Sequence, residues 1–168
     1  MFIRLSEHEA YRIPLTYRPR WSGGSGRYLA LQMVPPEFTP AASASGRHRD
    51  EVFIQWNSVW LTSLLQTPSS TAGQRQDSAY GLTRQVLGKA HTRYVDNSGA
   101  GVTLIDCYGG DNSNEPSCQH QFLDGPRHIA FRHRTEDVPN WRALEANLTA
   151  RLGSFRAATA PIPPSSRP

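Results

Sequence analysis

VTLIDCYGGDNSNEPSCQHQFLDGPRHIAFRH, from Val102 to His133, is the stretch whose reading decides the fold. Three runs within it, Val102–Cys107, Cys118–Leu123 and Arg127–His133, are strand-like and bounded by Gly, Pro, Asn or Asp. Asp124-Gly125 is the tight-turn signal between the last two. The sequence therefore predicts an antiparallel meander in the C-terminal half.

Both cysteines of the chain, Cys107 and Cys118, fall in this stretch, with ten residues between them. Three kinds of chemistry compete for them. A catalytic thiol needs an oriented base, and His120 is the nearest histidine to Cys118. Two residues along a strand put these side chains on one face but about 6–7 Å apart, too far for a direct hydrogen bond. A zinc site built from Cys107, Cys118 and His120 lacks any CxxC pair, and His128 and His133 are expected on opposite faces of one strand. Calcium could use Asp111, Ser113 and Glu115, but an EF-hand requires a central Gly and a distal Glu, and Pro116 and Cys118 stand in that stretch. A covalent clasp requires only that the two flanking strands be antiparallel neighbours, because facing residues then lie within disulfide range. Closing so short a loop restricts the unfolded chain by about 3 kcal/mol. The expectation is a disulfide between Cys107 and Cys118, and with it maturation in an oxidising compartment.

Outward from the meander, Trp141, Leu144, Leu148, Leu152 and Phe155 recur at helical spacing and form one apolar stripe. They predict a helix over 139–155, with Pro139 in its first turn and Asp137 near its N-terminus. This stripe is expected to lie over Leu104, Phe122, Ile129 and Phe131. Toward the N-terminus, strands are expected over 12–17 and 27–34, with the flexible turn Trp21–Gly26 between them. Leu29, Leu31 and Met33 share one face of the second strand, and Pro35-Pro36 ends it. Residues 39–50 and 67–76 read as loops. The segment Glu51–Trp60 fits either period, and we take it as a strand. A short helix is expected over 77–87 and a strand over 89–95. The fold class is α+β, an antiparallel sheet with a long C-terminal helix packed on one face. A single domain over 1–156 and a disordered Pro/Ser-rich tail over 157–168 complete the expectation.

The chain has 168 residues and a net charge of +4, and Lys89 is its only lysine. The arginines are scattered among acids with no basic run, which argues against a nucleic-acid partner. No apolar stretch approaches the ~20 residues that span a bilayer. Met1-Phe-Ile-Arg-Leu is not a signal peptide, so an N-terminal signal or anchor is expected to have been removed. The GxSxG, GxxxxGK[ST] and HExxH motifs are absent. Gly23-Gly-Ser-Gly26 precedes a strand instead of opening a helix, so it is no phosphate cradle. The sequence predicts no catalytic residue, no metal and no cofactor.

Several segments together resemble a loose group of small envelope proteins of Gram-negative bacteria. They are Tyr11-Arg-Ile-Pro-Leu-Thr-Tyr17, Leu31-Gln-Met-Val-Pro-Pro-Glu-Phe-Thr-Pro40, Cys118-Gln-His-Gln-Phe122 and Val138-Pro-Asn-Trp-Arg-Ala-Leu-Glu145. The group includes immunity proteins encoded beside antibacterial toxins of the type VI secretion system. The resemblance implies a non-enzymatic periplasmic protein whose partner is a cognate toxin, neutralised by occlusion of its active site. Candidate contacts are Asp111, Asn112, Asn114 and Glu115 on the clasped loop, with Arg47 and Asp50 on the preceding polar loop as an equal choice. A small periplasmic metal-binding protein or hydrolase, using His120, His128 or the Asp111 cluster, is the alternative. An envelope accessory protein is another.

Overall fold

The computed structural model describes residues 1–4, 9–23, 28–42, 51–56, 76–96, 102–109 and 117–157. Among them, β3 (Arg20–Ser22), β4 (Tyr28–Val34), β6 (Glu51–Trp56), β7 (Gln76–Ala79), β8 (Leu82–Gly88), β9 (His91–Val95), β10 (Thr103–Tyr108), β11 (Ser117–Asp124) and β12 (Arg127–Arg134) build one antiparallel sheet. Its order is β3-β4-β6-β12-β11-β10-β9-β8-β7, and β5 (Thr39–Pro40) pairs with β4. A separate two-stranded ribbon joins β1 (Phe2–Arg4) to β2 (Ala10–Arg12). One helix, α1 (Trp141–Ser154), follows a 3-10 segment, Thr135–Asn140. The architecture is α+β, with the helix at the C-terminal end of a mostly antiparallel sheet.

The meander forms because its three runs pair residue for residue. Cys107 faces Cys118, Ile105 faces His120, and His120 in turn faces Phe131. Gly125, at φ 58°, takes the left-handed conformation that the turn into β12 needs and that a side chain resists. The apolar stripe of α1 covers one face of the sheet. Leu144, Leu148, Leu152 and Phe155 pack with Phe122, Ile129 and Phe131 of the meander and with Leu29, Leu31, Val52 and Ile54 of β4 and β6. Each such side chain taken from water contributes roughly 1.5–3 kcal/mol before entropy is subtracted. Trp141 belongs to a second cluster, with Ile105, the two cysteines, Leu82 and Tyr94.

Three sequence expectations are corrected here. The strand predicted over 12–17 stops at Arg12, and Leu15–Tyr17 forms a 3-10 turn. Pro14 precedes this turn with no N–H to give a ladder, and Arg18 leaves it with φ 45°. The helix predicted over 77–87 is a hairpin, β7–β8, in which Ala79 faces Leu82 across the two-residue loop Tyr80-Gly81. Both loop residues have positive φ, 58° and 75°, the backbone of a tight hairpin turn. Trp141 holds this hairpin to α1 by donating its indole N–H to the Tyr80 carbonyl at 3.1 Å. Finally, Leu104 is not under the helix. It lies on the opposite face of β10 and packs with Val95.

Residues 51–56 of the ambiguous segment are a strand, and Trp56 packs half-buried against the core. Trp60, the 67–75 loop and the tail from 158 lie outside the described residues.

Candidate functional site

Alternation along the strands sorts the sheet's side chains into two faces. The face opposite α1 carries no helix among the described residues. Pairing registers lay rows of side chains across it. Arg93, Asp106, Gln119 and Arg132 form one row through β9, β10, β11 and β12. His91, Tyr108, Ser117 and Arg134 form the next. Farther along, Phe53 of β6 stands beside Ala130, and Tyr28 of β4 beside Gln55.

Asp106 is the anchor of this surface. Its side chain is only 7% exposed, and Arg93 donates to it twice, Nε at 2.9 Å and Nη2 at 3.1 Å. His91 adds a third contact, Nε2 to Oδ1 at 2.8 Å. A buried carboxylate is stable only when its lone pairs are taken up in this way. With its position fixed, the His91 ring becomes a platform on which Tyr108 stacks, centroids 4.5 Å apart and planes 20° from parallel. Burial and the nearby Asp106 carboxylate raise the Tyr108 pKa, so the phenol stays neutral near pH 7. Tyr108 is half exposed at the mouth of the loop between β10 and β11. The base of that loop is closed by the Cys107–Cys118 disulfide, which points to the α1 side. The result is a rigid aromatic and ionic patch beside the disulfide-closed base of the loop.

No protein-family model and no curated protein matches the chain. Among solved structures, it matches Smlt3025, an immunity protein of the Stenotrophomonas maltophilia type IV secretion system. The TM-score is 0.62 over 94% of this chain and 93% of that one, at 16% identity. The likeness is one of fold.

The six residues expected to touch a partner, Asp111, Asn112, Asn114, Glu115, Arg47 and Asp50, lie outside the described residues. Their neighbours are placed: Tyr108 and Ser117 flank the clasped loop, and Glu51 follows the other. The residues that sequence reading missed are His91, Arg93, Asp106 and Tyr108. Period-two alternation puts His91 and Arg93 on one face of their strand and Asp106 away from Cys107 on the other, but only the β9–β10 register brings these side chains together.

The other described histidines fall into two environments. His128 lies on the face opposite α1, with Nε2 3.2 Å from Gln121 Oε1. His120 and His133 lie beneath α1, their rings 5.3 Å apart. His120 contacts Glu145 of the helix at 2.9 Å, and Thr103 donates to the same oxygen at 2.8 Å. Burial drives the His120 pKa down, with Glu145 opposing it. Burial likewise lowers His133 to about 4, helped by His120. Among the described residues, His120 Nδ1 and His133 Nε2 have no hydrogen-bond partner. Among the described residues, no three His, Cys, Asp or Glu side chains are placed to hold a metal ion.

A cleft of about 380 Å³ opens at the far end of the sheet, between the β11–β12 turn and the end of the chain's described part. Tyr11 is its hub. The hydroxyl donates to Glu9 at 2.6 Å and accepts from buried Arg127 at 2.7 Å, while Arg127 also pairs with Asp124. Arg156 lines the cleft as well. Two cations thus offset two anions, and the cluster satisfies itself.

Proposed function

We propose that this chain is a non-enzymatic immunity protein that binds and neutralises a cognate antibacterial toxin in the periplasm. The observation that carries the reading is the end-to-end fold match to an immunity protein of a type IV secretion system. The sequence resemblance pointed to type VI delivery; the reading follows the fold relative and assigns the toxin to a type IV system. The chemistry of the chain is consistent with passive binding. Both thiols are joined as scaffold, the buried carboxylates Glu51 and Asp106 are taken up by arginine and histidine, and the strongest surface feature is a fixed aromatic and ionic patch. Inhibition by occlusion, with the clasped loop entering the toxin's cleft, uses such a patch and needs no reaction of its own.

The test is protection. Cells that express the neighbouring toxin gene in their periplasm should stop growing, and co-expression of this chain with an export signal should restore growth. Co-expression without export should not. Failure of the exported chain to protect, at matched expression, overturns the reading. Stoichiometric zinc or calcium in the purified protein would move the case to the metal-binding alternative.

A further inference from the structure

We infer that the sheet face opposite α1 is the docking surface, and that it receives a carboxylate-rich patch of the partner protein. This rests on the toxin-binding reading above. Register and alternation place Arg20, Arg93, Arg132 and Arg134 on this face, and Arg18 reaches it through Gln32 at 2.9 Å. Among the described residues, the acids there are Glu51, Asp106 and the flanking Glu136, so cations outnumber acids five to three.

Depth sharpens the imbalance. The two sheet acids lie at the bottom, with Glu51 only 6% exposed, while their surroundings are cationic: Arg20, its partner, is 62% exposed. Arg132 is exposed and has no carboxylate partner among the described residues. Arg134 pairs only with the open Glu136, a contact that solvent screens and a partner can replace. An approaching surface therefore meets guanidinium groups first. Their planar forks suit bidentate pairing with carboxylates.

The same face supplies apolar anchors. Tyr28 and Phe53 are exposed side by side, centroids 6.5 Å apart, and Tyr108 stands on its His91 platform. Exposed Tyr, Phe and Arg on rigid strands have the composition of a protein interface centre. A phosphate backbone is a poorer fit. Arg20 and Arg93 sit over their own carboxylates, which breaks the face into a mosaic where nucleic acid favours a continuous basic stripe.

The experiment measures binding of the full chain to a candidate toxin whose activity the chain suppresses in the protection test, by titration calorimetry at about 50 and about 300 mM salt. Arg132→Glu should weaken binding on the order of tenfold at low salt and less at high salt. Arg151→Glu, on the helix side, should stay within about twofold of the unaltered chain. Tyr108→Ala should weaken binding at both salt concentrations. The inference is overturned if Arg132→Glu binds normally, or if Arg151→Glu is the variant that fails. It is also overturned if Arg132 instead governs binding to phosphatidylglycerol vesicles or duplex DNA. A toxin that the unaltered chain does not bind at all removes the immunity reading itself, and this inference with it.

Discussion

Acid should weaken this protein through the histidines under α1, and His133 allows the size to be worked out. Its side chain is buried, its Nδ1 is bonded to the Arg134 carbonyl at 2.8 Å, and its Nε2 faces no acceptor. A proton added to Nε2 would be an uncompensated charge beside His120, which is why the pKa falls to about 4. The sign follows from linkage. Below the ordinary histidine value of about 6.5 the unfolded chain takes up a proton, while the folded chain stays neutral until about pH 4. Stability is therefore full above pH 6.5 and declines as pH falls toward 4. A gap of about 2.5 pKa units corresponds to roughly 3 kcal/mol, about three quarters of it lost by about pH 4.5. His120 and His128, lowered mainly by burial, act in the same direction.

Urea unfolding monitored by tryptophan fluorescence measures the loss, with midpoints taken at pH 7.5 and pH 4.5. Carboxylates also titrate in this range, so the deciding quantity is a difference between proteins. His133→Phe keeps an apolar ring beside Phe131 and removes the titrating nitrogen. Its pH-dependent loss should be smaller than the unaltered chain's by about 2–3 kcal/mol. Parallel pH profiles for the two proteins would refute the reasoning.

Four further outcomes are expected from unfolding and from direct chemical assay. Replacing both Cys107 and Cys118 by Ser should cost about 3 kcal/mol, since the loop they close then regains its freedom in the unfolded chain. Ellman titration of the denatured, unreduced protein should find no free thiol. Leu148→Ala, at the fully buried centre of the helix stripe, should cost about 2–5 kcal/mol in urea unfolding. Tyr11→Phe should cost about 1–3 kcal/mol, because the Arg127 Nη1–H then loses its acceptor inside the fold.

Where a periodic pattern coincided with a buried face, the sequence was readable. The stripe from Trp141 to Phe155 and the meander strands emerged at nearly their observed positions, because helix and strand each enforce a distinct spacing of apolar residues. The β7–β8 hairpin was not readable as a strand pair. Its buried residues are few, with Leu82 the main one, and the turn rests on a left-handed Tyr80 that no composition rule favours. Leu104 was placed on the wrong side because Val102–Cys107 is apolar on both faces, so that alternation alone does not say which face meets the helix. The Arg93–Asp106–His91 cluster was hidden for a related reason. Its members are distant in sequence, and only the β9–β10 register brings them together.

The central claim is that this chain acts by binding. Size-exclusion chromatography with light scattering, on the purified chain mixed with the purified candidate toxin, addresses it directly. The account predicts a discrete stoichiometric complex that survives dilution to nanomolar concentration and in which the toxin is inactive. Two separate peaks with the toxin fully active would contradict it.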